Sequence, residues 1–260
     1  VARICRLCII YSTFSITAGD RFNRRIEMEK IKVDNLSFSY PKSDKLALES
    51  VSLSIKESEF VVLCGKSGCG KSTLLRHLKK SMNPYGNRLG NVCFDGEEIE
   101  DMNDRDAASK IGYVQQNPDN QLVTDKVWHE LAFGLESLGY GNSVIKRRVA
   151  EMASYFGIQT WFRKSVSELS GGQKQLLNLA SVMAIQPEVL ILDEPASQLD
   201  PIAARDFLST VHRLNRELGV TIVISEHRLE EIFPLADRAI VMDEGRIIAN
   251  AKPGEVAIQL

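Results

Sequence analysis

The clearest chemistry in the sequence lies in eight consecutive residues, Gly65-Lys66-Ser67-Gly68-Cys69-Gly70-Lys71-Ser72. An apolar run over 60–63 precedes them, and a helix-like run that begins at Thr73 follows. In that setting, glycines let successive backbone N–H groups point at phosphate oxygens, and the helix adds its positive N-terminal end. A glycine turn that merely ends a strand is the simpler interpretation, but the flanking strand and helix favour a phosphate loop. We therefore predict an ATP site in which these eight residues and Thr73 contact the nucleotide, Lys71 reaches the β- and γ-phosphates, and Ser72 binds Mg²⁺.

Two carboxylates follow a second apolar run, at 189–192. Four apolar residues in succession indicate a parallel strand that is buried on both faces, and such sheets bind ligands at the carboxyl ends of their strands. Asp193 is placed to hold Mg²⁺, and Glu194 to orient and deprotonate an attacking water. A strand can also end in two acids because it reaches solvent, but the phosphate loop elsewhere in the chain favours the catalytic interpretation.

Two further predicted strands end in polar residues. The run 111–114 leads to Gln116, and the run 220–225 leads to Glu226 and His227. Taken alone, Gln116 fits a surface turn equally well, and a lone histidine is more often structural than catalytic. Because parallel strands end at one edge of a sheet, we expect both side chains near the phosphate loop, with His227 at the γ-phosphate.

A second anion-binding motif lies at Ser170-Gly171-Gly172-Gln173, ahead of an uninterrupted helical pattern that extends to Ala184. Ser170 is a good helix cap, and the glycines leave the helix start bare. A bare helix N-terminus with a hydroxyl attracts anions. The motif alone is only a capped loop, but a chain with two such helix starts indicates more than one phosphate contact.

The elements that must position these residues follow from the apolar patterns. Residues 30–40 and 46–55 alternate as antiparallel strands with one buried face, whereas 127–138 and 144–156 have helical spacing. The runs 239–242 and 246–249 predict a closing hairpin, followed by a short tail beyond Gly254. Tyr40 ends the first strand, where the pattern favours plain packing over stacking on a nucleotide base. The chain is thus predicted to be an α/β protein.

Composition narrows the class of protein. The 260 residues carry a formal charge of -2, which argues against broad binding to nucleic acid. No stretch reaches the roughly 18 to 20 apolar residues that cross a bilayer, and the five cysteines suggest a reducing compartment. Cys5 and Cys8 are too isolated to indicate a metal or redox site. We interpret residues 1–27 as a non-native or disordered extension and Met28 as the natural start.

Together these residues resemble the nucleotide-binding subunit of an ABC transporter from about Met28 to the C-terminus. Leu169 to Gln173 reads LSGGQ, the signature of that family. The resemblance implies a P-loop NTPase (RecA-like) core, an antiparallel β subdomain and an inserted α-helical signature subdomain at about 117–180, within one ATP-binding domain over 28–260. It also implies that Tyr40 stacks on adenine, that Gln116 is the Q-loop glutamine at the metal and among the catalytic residues, and that Asp200 is the D-loop aspartate. His227 becomes the switch histidine.

The family resemblance implies an ATPase with ATP and Mg²⁺ that works as a head-to-tail dimer. Each ATP is then held by Lys71 of one subunit and by Ser170 and Gly172 of the other, in a homo- or heterodimer. Its partners are transmembrane subunits, and its place is peripheral, on the cytoplasmic face of the cell membrane. No nucleic acid is implied.

Within the family, the runs 116–121, 130–134 and 225–229 are most similar to the energy-coupling-factor ATPases, which drive uptake of vitamins or of cobalt and nickel ions. The resemblance implies a T component and a substrate-binding S component in the membrane. Gln115 stands where an aromatic residue is frequent, and Ala196 where threonine is frequent. The chain is also short beyond the closing hairpin, where some relatives carry a dimerisation extension. Nothing in the sequence names the cargo.

Two other functions share the nucleotide chemistry. A soluble ABC ATPase that acts on DNA or ribosomes usually carries two cassettes or a long coiled coil, whereas this sequence has one cassette and no extended heptad pattern. A module that binds ATP without turnover needs no water-activating carboxylate, yet Glu194 and His227 are both present. The sequence therefore favours an ATPase that drives transport.

Overall fold

The computed structural model describes residues 29–43 and 45–259, and its central element is a six-stranded sheet. The strands lie in the order β10-β9-β3-β8-β7-β6, and only β10 runs antiparallel to its neighbour. Strands β3, β7 and β8 are buried at every residue, as expected for parallel strands covered on both faces. The bounds of the six are β3 Phe60–Cys64, β6 Ile111–Val114, β7 Val189–Asp193, β8 Thr221–Ser225, β9 Arg238–Asp243 and β10 Arg246–Ala251.

A second sheet is antiparallel and has the order β2-β1-β4-β5. Apolar residues alternate along β1 and β2. They form one buried cluster with one face of the six-stranded sheet and with the helix that follows the phosphate loop. The strands are β1 Glu29–Ser39, β2 Leu48–Lys56, β4 Asn87–Phe94 and β5 Glu97–Glu98. The shared core holds the antiparallel sheet beside the phosphate loop.

Helices cover the other face and form a second core. Three of them, α3, α4 and α5, pack on one another and on the sheet through apolar residues such as Leu131, Val149 and Leu177. The helices are α1 Lys71–His77, α2 Asp104–Lys110, α3 Val127–Ser137, α4 Asn142–Tyr155, α5 Gly171–Ala184, α6 Pro201–Leu218, α7 Leu229–Ile232 and α8 Pro253–Gln259. The predicted P-loop α/β class with an antiparallel sheet and an inserted helical part is confirmed.

Local details differ from the sequence predictions. The sequence predicts a helix from Ala203 to Leu218, whereas α6 begins two residues earlier, at Pro201, because Asp200 caps it and proline suits the first helical turn. The predicted tail beyond Gly254 is helical in α8, where Val256 packs against Ala239 and Val241. The predicted extension 1–27 and the predicted start at Met28 lie outside the described residues. Among the described residues, no helix is long and apolar enough to cross a membrane.

Candidate nucleotide site

The phosphate loop takes its shape from glycines that no other residue could replace. Gly65 has φ 141° and Gly70 has φ 108°. A Cβ atom on Gly65 would lie 2.1 Å from the Met242 carbonyl oxygen, and one on Gly70 would lie 2.6 Å from the Ala47 carbonyl oxygen. Any side chain would force the loop away from β2 and β9. The loop then enters α1, whose N-terminal N–H groups have no side-chain cap and face the anion site.

Lys71 is buried and folded over the loop. Its Nζ donates to the carbonyl oxygens of Gly65 at 2.9 Å and Lys66 at 3.1 Å, and lies 3.8 Å from Glu194 Oε1. These partners keep the ammonium satisfied in an interior position. A triphosphate can replace the carboxylate as the charge partner of Lys71, because it offers stronger anionic oxygens at the same place.

Asp193 is held by three hydroxyl groups. Ser72 Oγ donates to Asp193 Oδ1 at 2.8 Å, Ser225 Oγ donates to the same oxygen at 2.9 Å, and the Tyr113 hydroxyl donates to Oδ2 at 3.2 Å. A serine hydroxyl beside a carboxylate is a set of hard oxygen ligands that suits Mg²⁺, which binds few protein groups and keeps several waters. The predicted metal residues Ser72 and Asp193 are therefore adjacent and chemically suited to Mg²⁺.

Glu194 occupies a strained position at the end of β7. Its φ is 46°, a conformation that costs energy for a residue with a side chain and that occurs at functional sites. Its N–H bonds to the carbonyl and hydroxyl oxygens of Ser225, which fixes the turn. Its side chain lies 2.8 Å from His227 Nε2 and accepts from Gln116 Nε2 at 3.2 Å. The three predicted catalytic residues are thus in direct contact.

A cavity of about 420 Å³ covers the phosphate loop. Its lining combines residues of the loop and the start of α1 with Tyr40, Gln116 and Glu194. Tyr40 packs edge-on against Phe38 and its hydroxyl bonds to Thr73 Oγ1 at 3.1 Å, yet its ring is 37% exposed. The exposed ring is available for stacking on a base, as the family resemblance implies.

The second motif faces a different cavity. Ser170 caps α5 in a reciprocal pair with Gln173: Gln173 N donates to Ser170 Oγ, and Ser170 N donates to Gln173 Oε1. Ser170, Gly172 and Gln173 line a depression of about 260 Å³ against α6, whereas none of them lines the cavity over the phosphate loop. The two motifs that were predicted to bind phosphate therefore line separate cavities of one chain.

Asp200 serves α6 as a cap. Its Oδ1 accepts the N–H groups of Ile202 and Ala203, both at 3.0 Å. The residue is exposed, and its predicted contribution to nucleotide binding stays a prediction.

Amide side chains join the segment that follows Gln116 to helix α5, and no sequence pattern indicated these contacts. Gln121 donates to the Tyr113 carbonyl at 2.7 Å and accepts from Gln115 N at 2.9 Å and from Asn178 Nδ2 at 3.1 Å. Gln175 donates to the Gln115 carbonyl at 3.3 Å. Asn178 and Gln175 belong to α5, so these hydrogen bonds connect that helix directly to the segment that carries Gln116.

Tyr113 and Ser225 also escaped sequence reasoning, although both lie near the ends of predicted parallel strands. Tyr113 is 6% exposed, and burial together with the neighbouring Asp193 charge raises the pKa of its hydroxyl, which stays protonated and can donate. The sequence feature that could have identified them is a polar side chain in an otherwise apolar strand, close to the sheet edge that binds ligands.

This fold and site define a nucleotide-binding domain of the phosphate-loop class. The sequence model described as "ABC transporter" matches residues 48–197, which is more than half of the chain, and the chain belongs to that family. The predicted ATP-binding class, and with it the ATPase class of the domain, is thereby confirmed.

Two curated proteins illustrate what this chain is similar to in sequence. A putative ABC transporter ATP-binding protein of Bacillus thuringiensis subsp. konkukian is 51% identical over 229 residues, which are 88% of this chain and 42% of that protein. The energy-coupling factor transporter ATP-binding protein EcfA2 of Clostridium perfringens is 38% identical over 233 residues, which are 87% of this chain and 81% of that protein. The chain spans about two fifths of the length of the first curated relatives it matches.

Two solved structures are similar in fold and in sequence. The structure of cbiO1 from Clostridium perfringens, described as part of the ABC transporter complex cbiONQ, has a TM-score of 0.81 and 32% identity, covering 90% of this chain and 92% of that one. A dimeric ATP-binding cassette in a post-hydrolysis state, bound to ADP and Pi, has a TM-score of 0.74 and 25% identity, covering 86% and 98%.

Proposed function

We propose that this protein is the ATP-hydrolysing subunit of a membrane transporter. The observation that carries the proposal is the convergence of Lys71, Glu194, Gln116 and Tyr40 on one cavity over the phosphate loop. A domain that only binds nucleotide has no use for a strained carboxylate in contact with a histidine and a glutamine. Membership of the ABC transporter family supports the same conclusion.

In this proposal each residue of the site has a distinct role. The backbone N–H groups of 65–72 and the start of α1 bind the phosphates, together with Thr73, and Lys71 leaves the Gly65 and Lys66 carbonyls to bind the γ-phosphate. Glu194 accepts a proton from the attacking water, while His227 and Gln116 orient its carboxylate. The Ser72 hydroxyl and the Asp193 carboxylate hold Mg²⁺, which supplies charge neutralisation when bound. Gln116 completes the predicted metal set, although its amide nitrogen faces Glu194 in this structure.

A second subunit completes each site. Ser170, Gly172 and Gln173 line a depression that shares no residue with the cavity over the phosphate loop, which supports a role for them at the nucleotide of another subunit. Two copies, or one copy and a related chain, placed head to tail would bring the signature of each onto the nucleotide of the other. The dimeric cassette among the similar structures supports this arrangement. Asp200, at the start of α6, would then lie near the junction.

The transporter that we propose is of the energy-coupling-factor type. The similarity to EcfA2 and to cbiO1 supports it. Its partners would be a T component and a substrate-binding S component, its cargo a vitamin or a cobalt or nickel ion, and its place the cytoplasmic face of the membrane. The unit that does this work would be residues 28–260, with the helical part at about 117–180 facing the membrane subunits.

Purification of the tagged protein from native membranes tests the proposal. We expect a polytopic membrane protein to co-purify, together with an ATPase activity that a Glu194→Gln copy lacks. Recovery with ribosomes or DNA, and without any membrane protein, would instead support the soluble ABC ATPase that shares the same nucleotide chemistry.

A further inference from the structure

The Asp193 carboxylate is unusual in that groups from both neighbouring strands hold it. Strand β7 lies between β6 and β8. Ser225 is paired in register with Asp193 across β8 and donates to its Oδ1, whereas Tyr113 reaches Oδ2 from β6, where it is paired with Ile191. Ser72 approaches from α1. The carboxylate therefore cannot rotate without breaking hydrogen bonds on two sides.

Tyr113 is itself held firmly. Its ring is 6% exposed and packs in the core shared by the two sheets. Its carbonyl accepts from Gln121 Nε2 at 2.7 Å, so that both ends of the residue are bonded. A phenol fixed by packing presents its O–H in one direction and loses little conformational entropy when it donates. The acceptor of this hydroxyl is Asp193 Oδ2, and the Arg76 side chain, which can only donate, lies beside the hydroxyl oxygen.

The three hydroxyls leave a limited set of lone pairs on Asp193. A carboxylate has about four acceptor positions, of which Ser72 and Ser225 use two on Oδ1 and Tyr113 uses one on Oδ2. The position that remains open is thereby fixed in direction. A ligand shell of water around Mg²⁺ is demanding in geometry, so that a fixed acceptor binds it better than a rotating one.

We propose that Tyr113 is a positioning residue for the metal: its hydroxyl sets the orientation of Asp193, and through it the affinity with which Mg²⁺ joins the bound nucleotide. The inference rests on the proposed function, since it takes Asp193 as the metal-facing carboxylate. The inference assigns a role to a residue in the strand that leads to Gln116. One segment, 113–116, then carries both the group that orients the metal ligand and the glutamine that contacts Glu194.

The test compares Tyr113→Phe with the unchanged protein in titrations with ADP, which cannot turn over. ADP affinity is measured in EDTA and at a series of free Mg²⁺ concentrations. We expect the affinity in EDTA to stay within about twofold, and the gain in affinity on adding Mg²⁺ to fall by about tenfold or more, as expected for the loss of a hydrogen bond that orients a metal ligand.

Tyr155→Phe is the matched control. Tyr155 also donates to a carboxylate, Glu217, at 2.9 Å, but in the helical part and away from the cavity over the phosphate loop. It should leave ADP binding unchanged with and without Mg²⁺. Thermal unfolding without nucleotide checks that each variant is folded, and Tyr113→Met, which also lacks the hydroxyl, replaces Tyr113→Phe if the latter is not.

The outcomes separate the inference from the function it rests on. An undiminished Mg²⁺ effect in Tyr113→Phe, or equal losses with EDTA and with Mg²⁺, would overturn the role of Tyr113 while leaving the nucleotide site intact. If the unchanged protein itself binds ADP equally well with and without Mg²⁺, the metal assignment fails, and the inference fails with it.

Discussion

At the scale of the residue, the most consequential single group is the Lys71 ammonium. It is buried, and in the described structure its charge is balanced by two carbonyl oxygens and by Glu194 at 3.8 Å. In the proposed function the phosphates take over that balance. Buried charge pairs of this kind are sensitive to removal of one partner.

Lys71→Ala should weaken ATP binding by about 2–5 kcal/mol, because the phosphates lose their main charge partner. Equilibrium titration with a fluorescent ATP analogue measures the loss. Lys56→Ala, which removes an exposed lysine at the end of β2, serves as the control and should bind normally. Undiminished binding by Lys71→Ala would remove this lysine from the site.

Residues that are contiguous in sequence were predictable, and residues brought together by the fold were not. The phosphate loop is a single run, so its glycines and Lys71 could be assigned at once. Tyr113 and Asp193 are 80 positions apart, and Ser225 and Asp193 are 32 apart. Their contact depends on which strands are neighbours, and strand order is not written in the local pattern. The contribution of Asp200 and the base contact of Tyr40 stay predictions.

At the scale of the element, α1 carries both the phosphate site and a buried histidine. His77 Nδ1 lies 2.7 Å from the Thr73 carbonyl, its ring packs edge-on against Phe38, and its Nε2 is buried without a hydrogen-bond partner among the described residues. Burial lowers the pKa of His77 below its ordinary value of 6.5. The folded protein therefore favours the neutral form of His77, in the helix that follows the phosphate loop.

Acid should destabilise the protein through His77. Because the folded state disfavours the protonated form, the stability contribution is fully present above about pH 6.5 and is lost as the pH falls below it. Chemical denaturation between pH 7 and pH 5 should show a smaller loss of unfolding free energy for His77→Phe than for the unchanged protein. His129→Gln, at a half-exposed histidine, should follow the unchanged protein. Parallel curves for all three proteins would refute the role of His77.

The helices and strands were largely predictable because the apolar residues of each follow a regular spacing. Buried parallel strands read as apolar runs, β1 and β2 as alternation, and α3 to α5 as helical spacing. Helix α8 was missed because it begins with Pro253-Gly254, a pair that is typical of loops, and because its contact with β9 is a tertiary one. The amide network between Gln121 and α5 was missed for the same reason.

At the scale of the whole molecule, the main feature is that the phosphate loop and Ser170 line separate cavities of one chain. The cavity over the phosphate loop and the depression beside Ser170 have no residue in common. The amide contacts of Gln121 and Gln175 connect them through the Q-loop. In the proposed function, ATP closes two such molecules on each other, and the release of products lets them open, which a membrane partner can use.

The most direct test of this account is the mass in solution of the Glu194→Gln protein, measured by light scattering with ATP, with ADP and without nucleotide. The glutamine cannot accept the proton from water, so we expect the variant to retain ATP uncleaved. With ATP we expect the mass of a dimer, and with ADP the mass of a monomer. In a second variant that carries both Glu194→Gln and Ser170→Arg, ATP should bind but the protein should stay monomeric, because the long arginine side chain replaces the Ser170 hydroxyl and fills the depression beside the start of α5. A dimer that forms regardless of Ser170, or a single molecule of the unchanged protein that hydrolyses ATP at full rate, would contradict the central claim.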